Sequence, residues 1–331
     1  MAAHRRTKLA AVSESERPDR PVGQVDALAV PRFAGVRTFA RLPQLSEVGR
    51  ADVAVLGAPF DGATTFRAGA RFGPAAIREA SLLLRPYNDT QAIAPFAAAQ
   101  VADAGDAPAS PVDIEAGHAA IEQAARAIAD DGGRVLGLGG DHSVSLPLLR
   151  AAAAAHGTLS LLQLDAHTDT WDSYFGARYT HGTIFRRAVE EGLIDASVSV
   201  QIGLRGSLYG AEDMEENRAL GFTTLLARDF DAAGVAGALE LAGERLRSPV
   251  YVTVDIDVLD PAFAPGTGTP EAGGLSSREL LALLSGLAGT GLELAGADVV
   301  EVSPPYDPSG VTAVAAANAA YELVALLAAQ R

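Results

Sequence analysis

From about residue 50 to the end of the chain, short apolar runs alternate with longer segments of helical composition. The apolar runs lack polar alternation, which predicts strands that are buried on both faces. Strands that alternate with helices favour a doubly wound, mostly parallel α/β sheet. We predict strands over residues 52–56, 134–138, 159–164, 198–204, 250–255 and 297–302, and helices over 74–84, 112–131, 146–155, 233–247, 278–287 and 313–329.

The length of the chain fits either two average domains or one large α/β domain of 331 residues. Because the composition does not change after residue 50, we predict a single domain over residues 31–331. Residues 1–30 are polar and irregular, and we interpret them as a flexible or loosely docked arm. The arm lacks the apolar stretch of a secretory signal, so we expect a cytoplasmic protein.

The charged residues and the lack of cysteine exclude several functions. Lys and Arg number 26 against 41 Asp and Glu, which gives a formal net charge of −15. A chain this acidic is a poor partner for nucleic acid or an anionic membrane surface. No uninterrupted apolar run approaches the length of a membrane span. Without cysteine, the chain has no disulfide, iron–sulfur cluster, thiolate zinc site or cysteine nucleophile.

Three polar clusters follow predicted strands, at the strand ends where open parallel sheets bind ligands. They are GGDHS at 139–143, DAHTD at 165–169 and DID at 255–257. Taken singly, they also fit a glycine-rich turn, a solvated acidic loop and a pair of turn caps. Asp165 and Asp169 would lie about 13 Å apart in an extended strand, so they serve one site only if the chain curls.

Together the three clusters predict a metal centre with two ions. Neighbouring carboxylates repel one another unless a cation lies between them. Nitrogen and oxygen ligands without thiolate favour Mn²⁺, with Fe, Co, Ni or Zn as alternatives. Six ligands are too many for one catalytic ion with an open position, and four carboxylates balance two dications. The predicted metal ligands are His142, Asp165, His167, Asp169, Asp255 and Asp257.

These motifs resemble those of the ureohydrolase family of arginases and agmatinases. The resemblance extends to GAPFDGATTFRAGARFGPAAIREAS at 57–81, HGTIFRRA at 181–188, VDIDVLDPAFAPGTGTPEAGG at 254–274 and DVVEVSPPYD at 298–307. It implies a three-layer α/β/α domain with about eight strands, two Mn²⁺ per subunit, and a homo-oligomer, commonly a trimer or hexamer. One ion would be bound by His142, Asp165, Asp169 and Asp255, and the other by His167, Asp165, Asp255 and Asp257, with Asp165 and Asp255 bridging.

The resemblance also implies the chemistry. The two ions would lower the pKa of a bridging water, and the hydroxide would attack the guanidinium carbon beside Asp169. Glu301 matches the family's guanidinium-binding glutamate, which uses charge-assisted hydrogen bonds. His181 matches the mobile histidine that gives a proton to the leaving amine. The products would be urea and an amine.

The sequence predicts the identity of the guanidino substrate less precisely than it predicts the reaction. Arginases carry Asn at the position of Trp171, so Trp171 argues against a pocket for arginine. Trp171 is instead a candidate substrate-binding residue. Tyr174 and Phe175 are further candidates for the wall of the substrate pocket. The acidic charge favours agmatine, a dication, which would yield putrescine and urea. The alternative is a guanidino acid, as for guanidinobutyrase, guanidinopropionase or proclavaminate amidinohydrolase. Its carboxylate would pair with one of three arginines: Arg178, Arg186 or Arg205.

Two other classes of protein remain open at this point. One is a catalytically silent relative with a regulatory role, which should not hold nearly two Mn²⁺ per chain. The other is a deacetylase of the same general fold. Deacetylase sites use one metal and fewer ligands, so His142 and Asp257 argue against this class.

Overall fold

Eight parallel strands form one sheet in the computed structural model, which describes residues 20–331. In chain order they are β1 (Val53–Ala58), β2 (Val101–Asp106), β3 (Arg134–Gly139), β4 (Ser160–Leu164), β5 (Val200–Leu204), β6 (Thr223–Leu226), β7 (Val250–Asp255) and β8 (Leu294–Val300). Across the sheet their order is β2-β1-β3-β8-β7-β4-β5-β6, and every pairing is parallel.

Helices cover both faces of this sheet. They are α1 (Leu45–Val48), α2 (Gly73–Ser81), α3 (Pro95–Ala98), α4 (Ile114–Asp130), α5 (Ser145–His156), α6 (Ile184–Glu190), α7 (Glu212–Leu220), α8 (Ala227–Arg245), α9 (Ser277–Gly286) and α10 (Val311–Ala329). On one face α10 packs against α2, α3 and α9, and α8 packs against α9. On the other face α5 packs between α4 and α6. The predicted three-layer α/β/α fold is therefore confirmed.

Strand β1 supplies side chains to two hydrophobic cores, because successive residues of a strand point to opposite faces. In β1, Val53 and Val55 join the core shared with α9 and α10. Ala54 and Leu56 join the core shared with α4 and α5. Since helices cover both faces, every residue of β1 is buried, as the apolar run predicts.

The structure adds two strands and moves several boundaries. The additional strands, β2 and β6, form the edges of the sheet. The exposed end of β2 and the four half-buried residues of β6 give neither strand a fully buried apolar run. Helix α8 begins at Ala227, before the predicted start at 233, and contains a break at Gly234, whose φ is 62°. Strand β8 ends at Val300, so Glu301 lies just beyond the strand.

Helix α10 is long and apolar enough to cross a membrane by length and composition alone, although Thr312, Asn318 and Glu322 interrupt its apolar residues. Its apolar window is 78% buried inside the fold. Because α10 packs against the sheet and against α2 and α9, its apolar character is that of a core helix.

The described part of the predicted N-terminal arm is hydrogen-bonded to the domain. The backbone N–H of Val22 donates to Gln100 Oε1 at 2.9 Å, and Gln24 Nε2 donates to the carbonyl of Ala40 at 3.0 Å. Arg41 Nη1 donates to the carbonyl of Val30 at 3.0 Å. The prediction for residues 1–19 lies outside the described residues.

A capping box begins α9 and gives a test of local stability. Ser276 Oγ accepts a hydrogen bond from the Glu279 backbone N–H at 3.3 Å, and Glu279 Oε2 accepts one from the Ser276 N–H at 2.8 Å. We expect Ser276→Ala to lower the free energy of unfolding by about 1 kcal/mol, measured by chemical denaturation. Ser285→Ala in the same helix is the control. An equal loss in both variants would contradict the capping role.

Candidate metal centre and active site

The predicted site residues meet at the carboxyl ends of the four central strands, β3, β8, β7 and β4. His142 follows β3, the segment 165–169 follows β4, Asp255 closes β7 and Glu301 follows β8. His181 joins them from the loop before α6. Strands that are far apart in the sequence are therefore adjacent where the polar clusters lie, as expected for a parallel sheet.

Three carboxylate oxygens surround one nitrogen of His142. Its Nδ1 lies 3.1 Å from Asp165 Oδ2, 3.0 Å from Asp169 Oδ2 and 3.2 Å from Asp255 Oδ2. His142 is fully buried, and Nδ1 has no hydrogen-bond partner in the described part of the chain. One nitrogen and three carboxylate oxygens that converge in this way form a donor set suited to a divalent cation.

Hydrogen bonds on the far side of His142 determine its tautomer. Nε2 lies 2.9 Å from Thr253 Oγ1, and the Thr253 hydroxyl donates to Asp298 Oδ1 at 2.6 Å. Because the only hydroxyl proton goes to Asp298, Nε2 carries the proton that binds Thr253. Burial alone would lower the pKa of His142, but the three carboxylates around Nδ1 raise it well above its ordinary value. Nδ1 is therefore the nitrogen that would bind a metal ion, which would take the place of its proton.

A second potential metal-binding group adjoins the first and consists of Asp165, His167 and Asp257. His167 Nδ1 lies 3.1 Å from Asp257 Oδ2 and 3.6 Å from Asp165 Oδ1. Asp165 belongs to both groups and directs one oxygen to each histidine. Asp255 lies beside the first group, and its bridging role stays a prediction.

The carboxylates of these two groups are crowded in a buried space. Burial, followed by repulsion from Asp257 and Asp165, raises the pKa of Asp255 well above its ordinary value. Burial and the charge of Asp165 also raise the pKa of Asp169. Divalent cations would remove this repulsion, so the residues present fit a metal centre.

Two acidic residues of the site have left-handed backbone conformations, with φ of 52° at Asp169 and 64° at Glu301. Such a conformation costs about 1 kcal/mol or more in a residue other than glycine. At Asp169 it belongs to the curl that the sequence analysis required. The segment turns back after β4, and Asp165 and Asp169 both reach His142.

Glu301 and His181 form a buried pair in the wall of the site. Glu301 Oε1 accepts from the His142 backbone N–H at 2.9 Å and lies 3.1 Å from His181 Nδ1. Its other oxygen, Oε2, has no hydrogen-bond partner among the residues described. Burial alone would lower the pKa of His181, but the hydrogen bond and charge of Glu301 raise it to about 9. Glu301 does not itself line the cavity described below, but it contacts His181, which does. The pair therefore contains one buried carboxylate oxygen without a hydrogen-bond partner among the described residues.

The sequence analysis missed Thr65, which contacts the other side of His181. Thr65 Oγ1 lies 2.8 Å from His181 Nε2 and lines the same cavity. Thr65 belongs to the conspicuous segment 57–81, but its side chain is of an ordinary type. Only the position of that segment beside the His181 loop reveals the contact.

A cavity of about 700 Å³ opens beside the two metal-binding groups. Trp171 and Tyr174 line it and stack on one another, with ring centroids 4.9 Å apart. The Tyr174 hydroxyl lies 2.8 Å from that of Tyr209, a third aromatic residue of the wall. Phe175 projects into solvent and is 84% exposed. The structure thus brings Trp171 and Tyr174 to the cavity, but not Phe175.

The three arginines considered for a substrate carboxylate have other partners. Arg178 pairs with Glu190 and does not line the cavity. Arg186 pairs with Glu216 at 2.6 Å and also lies away from the cavity wall. Arg205 reaches the wall, but its guanidinium donates to several backbone carbonyl groups.

A different arginine, Arg228, lines the cavity from the first turn of α8. Its side chain is 80% exposed, and its ion-pair partner is the Asp229 carboxylate at 4.0 Å. Glu271 lines the same cavity. The sequence analysis missed Arg228 because the residue lies outside the recognisable motifs.

Comparisons with known proteins agree with the geometry. The arginase family model matches residues 51–325. Guanidinopropionase of Pseudomonas aeruginosa is 47% identical over 306 residues, which are 92% of this chain and 95% of that protein. The structure of proclavaminate amidino hydrolase from Streptomyces clavuligerus is 42% identical with a TM-score of 0.86, covering 91% of this chain and 100% of that one.

A structure with manganese also resembles this chain. Trypanosoma cruzi formiminoglutamase with Mn²⁺ is 27% identical with a TM-score of 0.77, covering 85% of this chain and 95% of that one. The buried histidines and aspartates described above form a cluster able to hold a metal. The chain therefore belongs to the arginase family and is a hydrolase that acts on guanidino carbon–nitrogen bonds.

Proposed function

We propose that this chain is a two-manganese enzyme that releases urea from a guanidino acid. The observation that carries the choice of substrate is Arg228, whose exposed guanidinium lines the cavity beside the metal-binding groups. The hydrolase class follows from membership of the family. The proposal adds the number of metal ions and the choice of a guanidino acid as the substrate.

Six side chains would hold the two ions. Their nitrogen and oxygen donors suit Mn²⁺, and three carboxylate oxygens already surround His142 Nδ1. When bound, the ions would lower the pKa of a water and make it nucleophilic at neutral pH. The proposed ligands are His142, Asp165, His167, Asp169, Asp255 and Asp257.

Glu301 would bind the guanidinium through Oε2, the buried oxygen that lacks a partner within the described residues. A guanidinium donates to a carboxylate by charge-assisted hydrogen bonds, which are stronger than neutral ones. A Cβ at Gly268 would come within 3.0 Å of Glu301 Oε2, so the glycine leaves room beside this oxygen.

His181 would supply a proton to the leaving amine. The Nδ1 atom of His181 is held by Glu301, and the Nε2 atom of His181 contacts Thr65 at the cavity wall. An imidazole held in this way can transfer a proton once the substrate occupies the cavity. Asp169 lies beside the proposed nucleophile and completes the catalytic set, while Trp171 packs along the aliphatic part of the substrate.

Arg228 supports a substrate with a carboxylate at the end opposite the guanidinium. An arginine binds a carboxylate through two parallel hydrogen bonds. Two of the similar proteins, at 47% and 42% identity, are named for carboxylate compounds, guanidinopropionate and proclavaminate. Agmatine remains the second candidate, because Glu271 also lines the cavity and the chain is strongly acidic.

The substrate is tested by urea release from the Mn²⁺-loaded protein. The panel is 3-guanidinopropionate, 4-guanidinobutyrate, agmatine and arginine, compared by kcat/KM. We expect a guanidino acid to lead agmatine by about tenfold, roughly 1.4 kcal/mol of transition-state preference. Arg228→Gln should lower kcat/KM for that acid by about tenfold, because it removes one charged partner, and should leave agmatine unchanged.

Arg245→Gln is the matched control, since Arg245 is an exposed arginine at the far end of the same helix. It should leave every kcat/KM value of the panel unchanged. A tenfold lead for agmatine would move the assignment to an agmatinase. An unchanged ratio of guanidino acid to agmatine in Arg228→Gln would remove Arg228 from the substrate site.

A further inference from the structure

We propose that three buried amides, Gln163, Gln201 and Asn217, position the metal ligands that follow β4 and thereby set the metal affinity of the centre. We call these three residues the amide chain. They are positioning residues, because they act through Asp165 and the backbone beside it. The inference rests on the metal centre proposed above.

The amide chain is a continuous series of hydrogen bonds. Gln163 Nε2 donates to Asp165 Oδ2, Gln201 Nε2 donates to Gln163 Oε1, and Asn217 Nδ2 donates to Gln201 Oε1, each at 2.7 Å. The Thr170 hydroxyl donates to Asn217 Oδ1 at 3.0 Å. The three amides are fully buried, and Thr170 is 2% exposed. The series therefore starts at Asp165 in the segment that carries the proposed ligands and ends at Thr170, the residue directly after that segment.

The carboxylate at one end determines the orientation of every amide. An ionised carboxylate only accepts hydrogen bonds, so Gln163 must direct its NH₂ group to Asp165 and its oxygen to Gln201. The same argument applies in turn to Gln201 and to Asn217. One arrangement of donors and acceptors satisfies the whole series, and it holds Asp165 Oδ2, the oxygen that also faces His142.

The same amides bind the backbone of the curled segment. Gln163 Nε2 donates to the carbonyl of His167 at 3.0 Å, and Gln201 Nε2 donates to the carbonyl of Thr168 at 3.1 Å. This segment carries three of the six proposed ligands, and its curl brings two of them to one histidine. The amide chain therefore stabilises both the side chain of Asp165 and the path of the backbone.

Packing alone does not explain why amide side chains occupy these buried positions. Gln163 lies in β4, whose five residues are all buried, and its register partner in β5 is Gln201. A buried amide must replace its bonds to water, whereas apolar side chains would fill the same space without that requirement. The hydrogen bonds to the ligand segment give a reason for polar residues here.

The test measures Mn²⁺ affinity directly, from the electron paramagnetic resonance signal of free Mn²⁺ during titration of the metal-free protein. We expect Gln163→Met to raise the Mn²⁺ Kd by about ten- to a hundredfold, as for other groups that orient metal ligands. Asn217→Leu, two hydrogen bonds further from Asp165, should raise it by a smaller factor. Saturating Mn²⁺ should restore most of the kcat in both variants.

Asn88→Leu is the matched control, because Asn88 is a buried amide that donates to Glu322 at 3.0 Å, outside the amide chain. It should lower the Tm but leave the Mn²⁺ Kd unchanged. If Gln163→Met does not fold, Thr170→Val replaces it, since this change only exchanges a hydroxyl group for a methyl group of similar size. It should raise the Kd severalfold.

Two results would overturn the positioning role. One is a Kd within twofold of the wild type in the folded variants, and the other is an equal rise in Asn88→Leu. A wild-type protein that binds no Mn²⁺ would instead overturn the proposed metal centre. The experiment thus separates the failure of this inference from the failure of the proposed function.

Discussion

His142→Ala is expected to lower kcat/KM at limiting Mn²⁺ by more than about 100-fold, roughly 3 kcal/mol, while the protein stays folded. The reason is that His142 Nδ1 is the one nitrogen of its metal-binding group, within 3.2 Å of three carboxylate oxygens. Its loss would leave a cation in that group with carboxylate oxygens but no nitrogen ligand. Urea release gives the rate, and elemental analysis gives the bound manganese, which should fall together with the rate.

His156→Ala is the control for this experiment, because His156 is exposed at the end of α5. It should retain wild-type activity and metal content. Full turnover of His142→Ala at limiting Mn²⁺ would refute the two-metal proposal. Asp257→Ala in the second group should behave like His142→Ala, which tests whether both groups are needed.

Glu301→Gln is expected to reduce kcat/KM by about 30- to 1,000-fold, which corresponds to roughly 2–4 kcal/mol. The amide keeps an oxygen for the His142 backbone N–H but loses the negative charge that would bind the guanidinium. Because every substrate of the panel contains a guanidinium, the loss should be similar for guanidino acids and for agmatine. Arg228→Gln should differ, since it affects only substrates with a carboxylate.

Glu322→Gln is the matched control for Glu301→Gln. Glu322 is also buried, and it accepts hydrogen bonds from Asn88 and Gln91 rather than from the site. This change should affect stability without affecting kcat or KM. If kcat and KM are both unchanged in Glu301→Gln, Glu301 has no role in substrate binding.

The central strands could be predicted from the sequence because burial on both faces leaves a recognisable apolar run. The run at 250–255 matches β7 at both ends. The edge strands could not be predicted in this way. The end of β2 is exposed and contains Gly105 and Asp106, and β6 has only four residues, all half-buried.

The clustering of the proposed metal ligands could be predicted from the sequence, because parallel strands place their carboxyl ends at one edge. The amide chain could not be predicted, since Gln163 stands alone in an apolar run and nothing nearby in the sequence indicates its partner Gln201. The positions of Arg228 and Thr65 at the cavity could not be predicted from the sequence either, because the packing of distant elements brings each of them there. Sequence motifs reveal candidate ligands that are close together in the chain, whereas contacts between distant helices and strands become visible only in the structure.

The left-handed backbone of Asp169 and Glu301 places activity and stability in opposition. Glycine adopts these angles without strain, so glycine at either position would release the local backbone strain. Each replacement would also remove an acid that the proposed reaction needs. Selection for relaxed backbone geometry alone would therefore not retain these two acids, and a screen for robust variants must include turnover as a second criterion.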